Sequence, residues 1–233
     1  MLKNKTLLLY ASSVFIVAEI ALGFSLQLAQ GDVRRMLSYA SVMLACLFFL
    51  LFFERTGSYI FTQIGLLCTV CADYFLVLSV ERQQLPAMLF FSVTQLMYFA
   101  RLYFADESRK RRTCHLFCRF FASTVAILAT LIVLRESIDA VAIVSMFYYA
   151  NLLINIVFAF LMGKRMRIFA IGLLLFVLCD TLIGLSCLDA YITIPADSVI
   201  YWIIHPGFDL AWAFYVPSQT LLALSLLPMW PKK

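Results

Sequence analysis

Residues 166–187 read MRIFAIGLLLFVLCDTLIGLSC, an apolar stretch whose one interior charge is Asp180. A helix needs ~20 apolar residues to cross the hydrocarbon core of a bilayer. This stretch is long enough, and seven others of the same character accompany it: 6–28, 37–53, 58–80, 85–105, 115–134, 138–163 and 199–227. Asp73 sits inside the 58–80 stretch much as Asp180 sits here. A carboxylate placed in hydrocarbon costs ~2.5–3.5 kcal/mol even on lenient insertion scales, so an acid at that depth marks a functional site by default.

Composition agrees with eight crossings. Of 233 residues, 64% are hydrophobic and only 13% are charged, where a soluble domain is about half apolar and a quarter charged. The chain reads as one all-α, polytopic membrane domain spanning 1–233. Its net charge of +5 does not indicate nucleic-acid binding, because the basic residues fall in short segments between apolar runs and line no helix face. Most of the seven cysteines lie in apolar runs, where Cys acts as a small hydrophobe. Cys68-x-x-Cys71 falls mid-helix, and Cys114-His115-x-x-Cys118 lacks a second ligand pair. Neither a disulfide framework nor a metal or other cofactor is expected.

Loop charges set the orientation. On the side of the N-terminus lie Lys3, Lys5, Arg55, Arg109, Lys110, Arg111, Arg112, Arg119, Lys164, Arg165, Arg167, Lys232 and Lys233, against Arg34, Arg35, Arg82 and Arg135 opposite. That imbalance puts both termini in the cytoplasm. Arg101 is expected to snorkel to the same face. Lys3 and Lys5 imitate a signal peptide, but the run after them is too long and contains Glu19, so a retained first helix is expected. In the last run, His205-Pro206-Gly207 suggests a separate interfacial piece, with the true span starting near Asp209.

Two passages echo each other. Asp73-Tyr74-Phe75-Leu76-Val77-Leu78-Ser79 and Asp180-Thr181-Leu182-Ile183-Gly184-Leu185-Ser186 share an Asp-x-x-x-x-Leu-Ser wording, and Phe91-x-x-x-Gln95 is answered by Tyr215-x-x-x-Gln219. Four helices separate the echoes, which suggests two parallel four-helix halves around a pseudo-two-fold axis, bringing the aspartates to equivalent depths in one cavity. Each carboxyl would lie about 10 Å below the non-cytoplasmic end of its helix at ~1.5 Å per residue.

Of the other polar residues, Gln95 and Gln219 serve equally well as site members or as interhelical glue. Asn151 and Asn155 share a face of the sixth helix, with Tyr148 or Tyr149 near. Glu19 is better read as facing a structural partner, and Asp209 and His205 as solvated. Trp202, Trp212 and Trp230 suit interfacial belts.

With these motifs the chain resembles the YhhN-type lysoplasmalogenase family, eight-helix membrane proteins of about this size. The resemblance runs from about residue 37 to 227. It rests on Asp73 with its apolar run, on Gln95-Leu96-Met97-Tyr98, on Asp180 with Thr181-Leu182-Ile183-Gly184-Leu185, and on Tyr215 to Gln219. The sequence departs from the family pattern at Gln95, where a His is usual, and at Ala72 and Cys179, where Gly or Ser precedes the aspartates. The resemblance implies hydrolysis of the vinyl ether bond of lysoplasmalogens in the plasma membrane, with a lysophospholipid as substrate. It implies Asp73 and Asp180 as the catalytic acids, and Gln95, Tyr98, Tyr149, Asn151, Tyr215 and Gln219 as residues around the substrate. An ion-coupled transporter and a non-catalytic lipid-binding relative are the alternatives.

Overall fold

The computed structural model describes residues 5–52, 57–79, 81, 83–187, 191, 194–204 and 208–227. Nine α-helices occur among them: α1 (Lys5–Leu28), α2 (Gly31–Phe52), α3 (Tyr59–Asp73), α4 (Gln84–Ala105), α5 (Arg109–Leu134), α6 (Ala140–Leu161), α7 (Arg167–Cys187), α8 (Val199–Ile204) and α9 (Leu210–Leu224). No strand is present among the described residues. Six stretches are long and apolar enough to cross a bilayer: Thr6–Leu28, Tyr59–Leu78, Gln84–Ala105, Arg109–Leu134, Ala140–Leu161 and Gly163–Cys187. The chain is an integral membrane protein. Of the two remaining runs, one forms the 22-residue α2, whose opening turns carry Asp32, Arg34 and Arg35. The other is divided, as its sequence suggested, into the short α8 and the 15-residue α9. His205, Pro206 and Gly207 lie outside the described residues, as do Lys3, Arg55, Arg82, Trp230, Lys232 and Lys233.

Side-chain caps define several helix starts. Ser108 Oγ accepts from the Arg111 amide at 3.4 Å, Asp139 Oδ1 from the Ala142 amide at 2.7 Å, and Asp209 Oδ1 from the Trp212 amide at 3.2 Å. Each satisfies an amide that has no partner within its own helix. The Ser108 cap explains why the basic run 109–112, expected in a loop, forms the first turn of α5. Asp209, expected to be solvated, also ion-pairs with Arg34 on α2. Its amide donates to Gln27 Oε1, and Gln27 Nε2 donates to its carbonyl, each at 2.9 Å. Trp212 is likewise more than an interfacial anchor, since its indole meets the Tyr215 ring edge-on at 5.1 Å.

Two arginines depart from the loop-charge reading. Arg101 does not snorkel: it is 2% exposed. Its guanidinium donates to Thr62 Oγ1, Ser225 Oγ and the Ser225 carbonyl, and lies 4.2 Å from the Phe169 ring centroid. It thus caps the C-terminal end of α9, where carbonyls lack helical partners. Arg119, counted with the loops, is buried mid-helix in α5. Glu19 follows the structural reading, accepting from Ser41 Oγ at 2.6 Å across the α1–α2 contact.

α3 packs along α4, and α7 packs along α9. The contacts in the two pairs correspond. Thr94 Oγ1 on α4 donates to the Gly65 carbonyl on α3 at 3.1 Å, while Ser218 Oγ on α9 donates to the Gly172 carbonyl on α7 at 2.8 Å. The glycines permit close approach in both places. A Cβ at Gly65 would come within 2.5 Å of the Tyr98 ring, and one at Gly172 within 3.0 Å of the Leu222 side chain. Gly65 precedes Asp73 by the same interval that separates Gly172 from Asp180. The register that aligns the aspartates therefore aligns the tight crossings as well. α6 lies against α4, α5 and α7, and α9 touches α1, α2 and α3.

Candidate active site

Asp73 is the last residue of α3, and the chain continues from it into a π-helical turn, Tyr74–Leu78. The Ser79 amide closes that turn on the Tyr74 carbonyl at 2.9 Å. Single π turns inside helices are rare and cluster at functional sites. Here the freed carbonyls are collected by one side chain: Arg35 on α2 donates from Nε to Val77 O at 2.7 Å and from Nη2 to Leu78 O and Ser79 O at 3.2 and 3.3 Å. A cation at the carbonyl end of a helix also meets its negative dipole pole. The sequence treats 58–80 as one uniform helix, and nothing in its hydrophobic periodicity marks the change of winding after Asp73.

Asp73 is 3% exposed. Tyr215 on α9 donates its hydroxyl to Asp73 Oδ2 at 2.5 Å. Asp180, in the unbroken helix α7, is partly exposed and accepts from the hydroxyl of Tyr148 on α6. Each carboxyl thus has one phenol donor, supplied by a different helix. The Phe176 ring lies 5.5 Å from Tyr215 and 6.5 Å from Tyr148, and Phe91 lies 5.6 Å from Tyr148 and 5.9 Å from Phe176. The two acid–phenol pairs converge on this one aromatic cluster.

The other expected residues divide. Tyr215 joins Asp73 directly. Tyr149, expected around the substrate, bonds Thr181 Oγ1 at 2.7 Å, and its neighbour Tyr148 takes Asp180. The side chains of Tyr148 and Tyr149 leave α6 about 100° apart, so only one of them can face Asp180. Asn151 is one turn further along α6 and donates to Ser123 Oγ on α5 at 3.2 Å. Gln95 accepts from Asn155 Nδ2 at its carbonyl (2.9 Å) and at Oε1 (3.1 Å). Tyr98 lies against Gly65 and meets Phe169 edge-on at 5.4 Å, which makes it part of the helix crossing. Gln219 is fully buried with no partner at either polar atom among the described residues.

A further polar group lies on α5. His115 and Arg119, four residues apart on α5, are both buried beside Asn155. Arg119 Nη1 donates to Asn155 Oδ1 at 3.3 Å. The available signal was the i, i+4, i+8 spacing of His115, Arg119 and Ser123, which places all three on one face of α5. No group of three or more His, Cys, Asp or Glu side chains that could hold a metal occurs among the described residues. At the end where α4 meets α5 and α6 meets α7, an open cleft of about 460 Å³ is lined by Asp106, Glu107, Arg111, Lys164 and Arg165. It lies at the opposite end of the helices from the carboxyls.

The model of the YhhN family matches residues 33–226. None of the curated proteins or solved structures compared matches the chain.

Proposed function

Because the chain belongs to the YhhN family, we propose that it is a membrane hydrolase cleaving the vinyl ether bond of lysoplasmalogen-type lysophospholipids, with Asp73 and Asp180 as its acid–base pair. It would act in the plasma membrane through eight crossings arranged as two parallel four-helix halves, with both termini cytoplasmic. The matched Thr94–Gly65 and Ser218–Gly172 bonds support the two halves. The observation that carries the reaction is the convergence of two acids, one buried and one partly exposed, each with its own phenol, on one aromatic cluster.

The chemistry requires one carboxyl with a proton and one without. Unlike surroundings can leave one of two acids protonated and the other ionised. The neutral acid passes its proton to the outer alkene carbon, the π pair forming the new C–H bond. The ether oxygen lends a lone pair, giving an oxocarbenium ion. The carboxylate steadies that cation and takes a proton from water as the water oxygen bonds to the cationic carbon, the division of labour seen in paired-carboxylate glycosidases. The resulting hemiacetal breaks its bond to the glycerol oxygen, which leaves protonated, and the fatty aldehyde is released. The phenol on each acid holds the carboxyl orientation, and the rings of Phe91 and Phe176 offer an apolar wall to the alkyl chain. Asp180 retains accessible surface, so the enol ether is expected to approach from its side.

The test is aldehyde release from lysoplasmenyl-ethanolamine by the purified protein. Asp73→Asn and Asp180→Asn should each lower kcat by about 10²–10⁴-fold, the usual yield of a positioned proton-transfer group. Wild-type rates in both variants would falsify the assignment.

A transporter is the second reading, favoured by one observation: both helices at Asp73 are irregular, α3 by its π turn and α9 by Pro217 inside it. Interrupted helices around membrane-buried acids are how many carriers hold coupling ions. Proton-linked solute uptake into liposomes with no aldehyde formed would establish it.

A further inference from the structure

Between α4, α5 and α6 lies a polar cluster that the proposed chemistry does not use. His115 is 2% exposed, Arg119 6%, and Gln95 and Asn151 are fully buried. Among the described residues each leaves one polar atom without a partner: His115 Nε2, one terminal nitrogen of Arg119, Gln95 Nε2 and Asn151 Oδ1. Two of those atoms belong to fixed donors, a guanidinium nitrogen and an amide nitrogen. The ion pairs of the described residues leave Arg119 without a carboxylate. What it has is the Asn155 amide oxygen and the face of Phe99, whose ring centroid is 4.5 Å away. A guanidinium at this depth, with donors to spare and no counter-charge, is a site with the chemistry to receive an oxyanion.

We propose that Arg119 and Gln95, with His115 one turn beyond, bind the phosphodiester of the lysophospholipid. This rests on the hydrolase reading and adds a headgroup subsite to it. Position on α6 supports the pairing. Tyr148, Asn151 and Asn155 share one face of that helix, Tyr148 holding Asp180 and Asn155 holding Arg119 and Gln95. From Tyr148 to Asn155 the helix advances about 10 Å at ~1.5 Å per residue. An extended chain gains about 1.2 Å per bond, so the seven bonds from phosphorus to the outer vinyl carbon reach about 8 Å. With the phosphate on Arg119, that carbon arrives at Asp180. The headgroup then points toward the end of the bundle where α5 begins.

The probe is a radiolabelled 1-O-alkyl lysophosphoethanolamine, whose saturated ether cannot be hydrolysed by this route. It is displaced from the purified protein by unlabelled ligand, by 1-O-alkylglycerol or by inorganic phosphate. The wild-type protein should prefer the phospholipid over the alkylglycerol by at least about tenfold, the worth of one hydrogen bond to a charged group. Arg119→Gln should bring the two to near parity, Arg119→Lys should recover part of the preference, and Asp180→Asn should leave it intact. If Arg119→Gln does not yield a monodisperse protein, Gln95→Leu is read in the same way. An unchanged preference in Arg119→Gln overturns the proposal. So does displacement by inorganic phosphate at concentrations as low as the phospholipid needs, which would make free phosphate the ligand. Loss of the preference in Arg119→Gln with no aldehyde from any lysoplasmalogen keeps the anion site and removes the hydrolase. Aldehyde release with the preference unchanged does the reverse.

Discussion

In the pair α3–α4, Thr94 donates to the carbonyl of Gly65, and Tyr98 covers that glycine; in the pair α7–α9, Ser218 donates to the carbonyl of Gly172, and Leu222 covers it. Up to the aspartates the two pairs follow one plan. Beyond them they part. α3 changes to a π turn clasped by Arg35, whereas α7 continues as a regular helix past Asp180. The position on α4 that corresponds to Tyr215 is Phe91, which has no hydroxyl to give. Tyr215 crosses to the acid of the other helix pair, and Asp180 draws its donor from Tyr148 on α6. The two acids therefore stand in unlike surroundings, one sealed and one partly accessible. Unlike surroundings are one way to divide proton donor from proton acceptor between two carboxyls.

Making the two helix pairs more alike should lower activity. Tyr215→Phe gives α9 the residue that α4 already has, and strips the buried Asp73 of its donor. A lost hydrogen bond to a buried charged group costs about 1.5–3 kcal/mol, so aldehyde release should fall about ten- to a hundredfold in kcat/KM. Tyr148→Phe should cost less, because Asp180 has accessible surface where water can replace the phenol. Equal losses in the two variants would show that the inequality of the acids has no kinetic meaning.

The next effect is on stability. Gly65→Ala puts a methyl group 2.5 Å from a buried ring, while Gly172→Ala meets a flexible leucine at 3.0 Å. Overpacking of this kind costs about 1–3 kcal/mol. Thermal unfolding in detergent should show Gly65→Ala the less stable of the two, and the reverse order would break the equivalence of the crossings. Arg35→Gln should follow at about 1 kcal/mol, the worth of a cation at a partly buried helix C-terminus. Faster backbone hydrogen exchange confined to residues 74–79 is the signature that separates loss of this clasp from general loosening.

Much of this arrangement was legible in the residues. The six helices long and apolar enough to cross a bilayer, and the acids at 73 and 180, follow from hydropathy and wording. The helices, the split of the last run at Asp209 and the structural role of Glu19 follow from the same signals. The remainder depended on which face each helix turns to its neighbours. Arg101 and Arg119 read as topogenic charge because a basic residue near a run's margin usually snorkels. Only the placement of Ser225 and Asn155 on facing helices allows those guanidinium groups to be buried. The π turn left no trace either, since Tyr74–Leu78 is as apolar as any regular helical segment.

The smallest expected effect concerns the choice between adjacent tyrosines. Tyr149 bonds Thr181, the residue after Asp180, in a contact between neutral groups. Interhelical hydrogen bonds of that sort average about 0.6 kcal/mol in membranes. Tyr149→Phe should therefore shift the unfolding temperature slightly and leave aldehyde release within about twofold of wild type, next to the larger loss in Tyr148→Phe. If Tyr149→Phe proves the more damaging, then α6 is rotated in the working protein by about the 100° between consecutive residues. The phenol on Asp180 would then be Tyr149. A single pair of phenylalanine substitutions thus reports which face of α6 the acid sees during turnover.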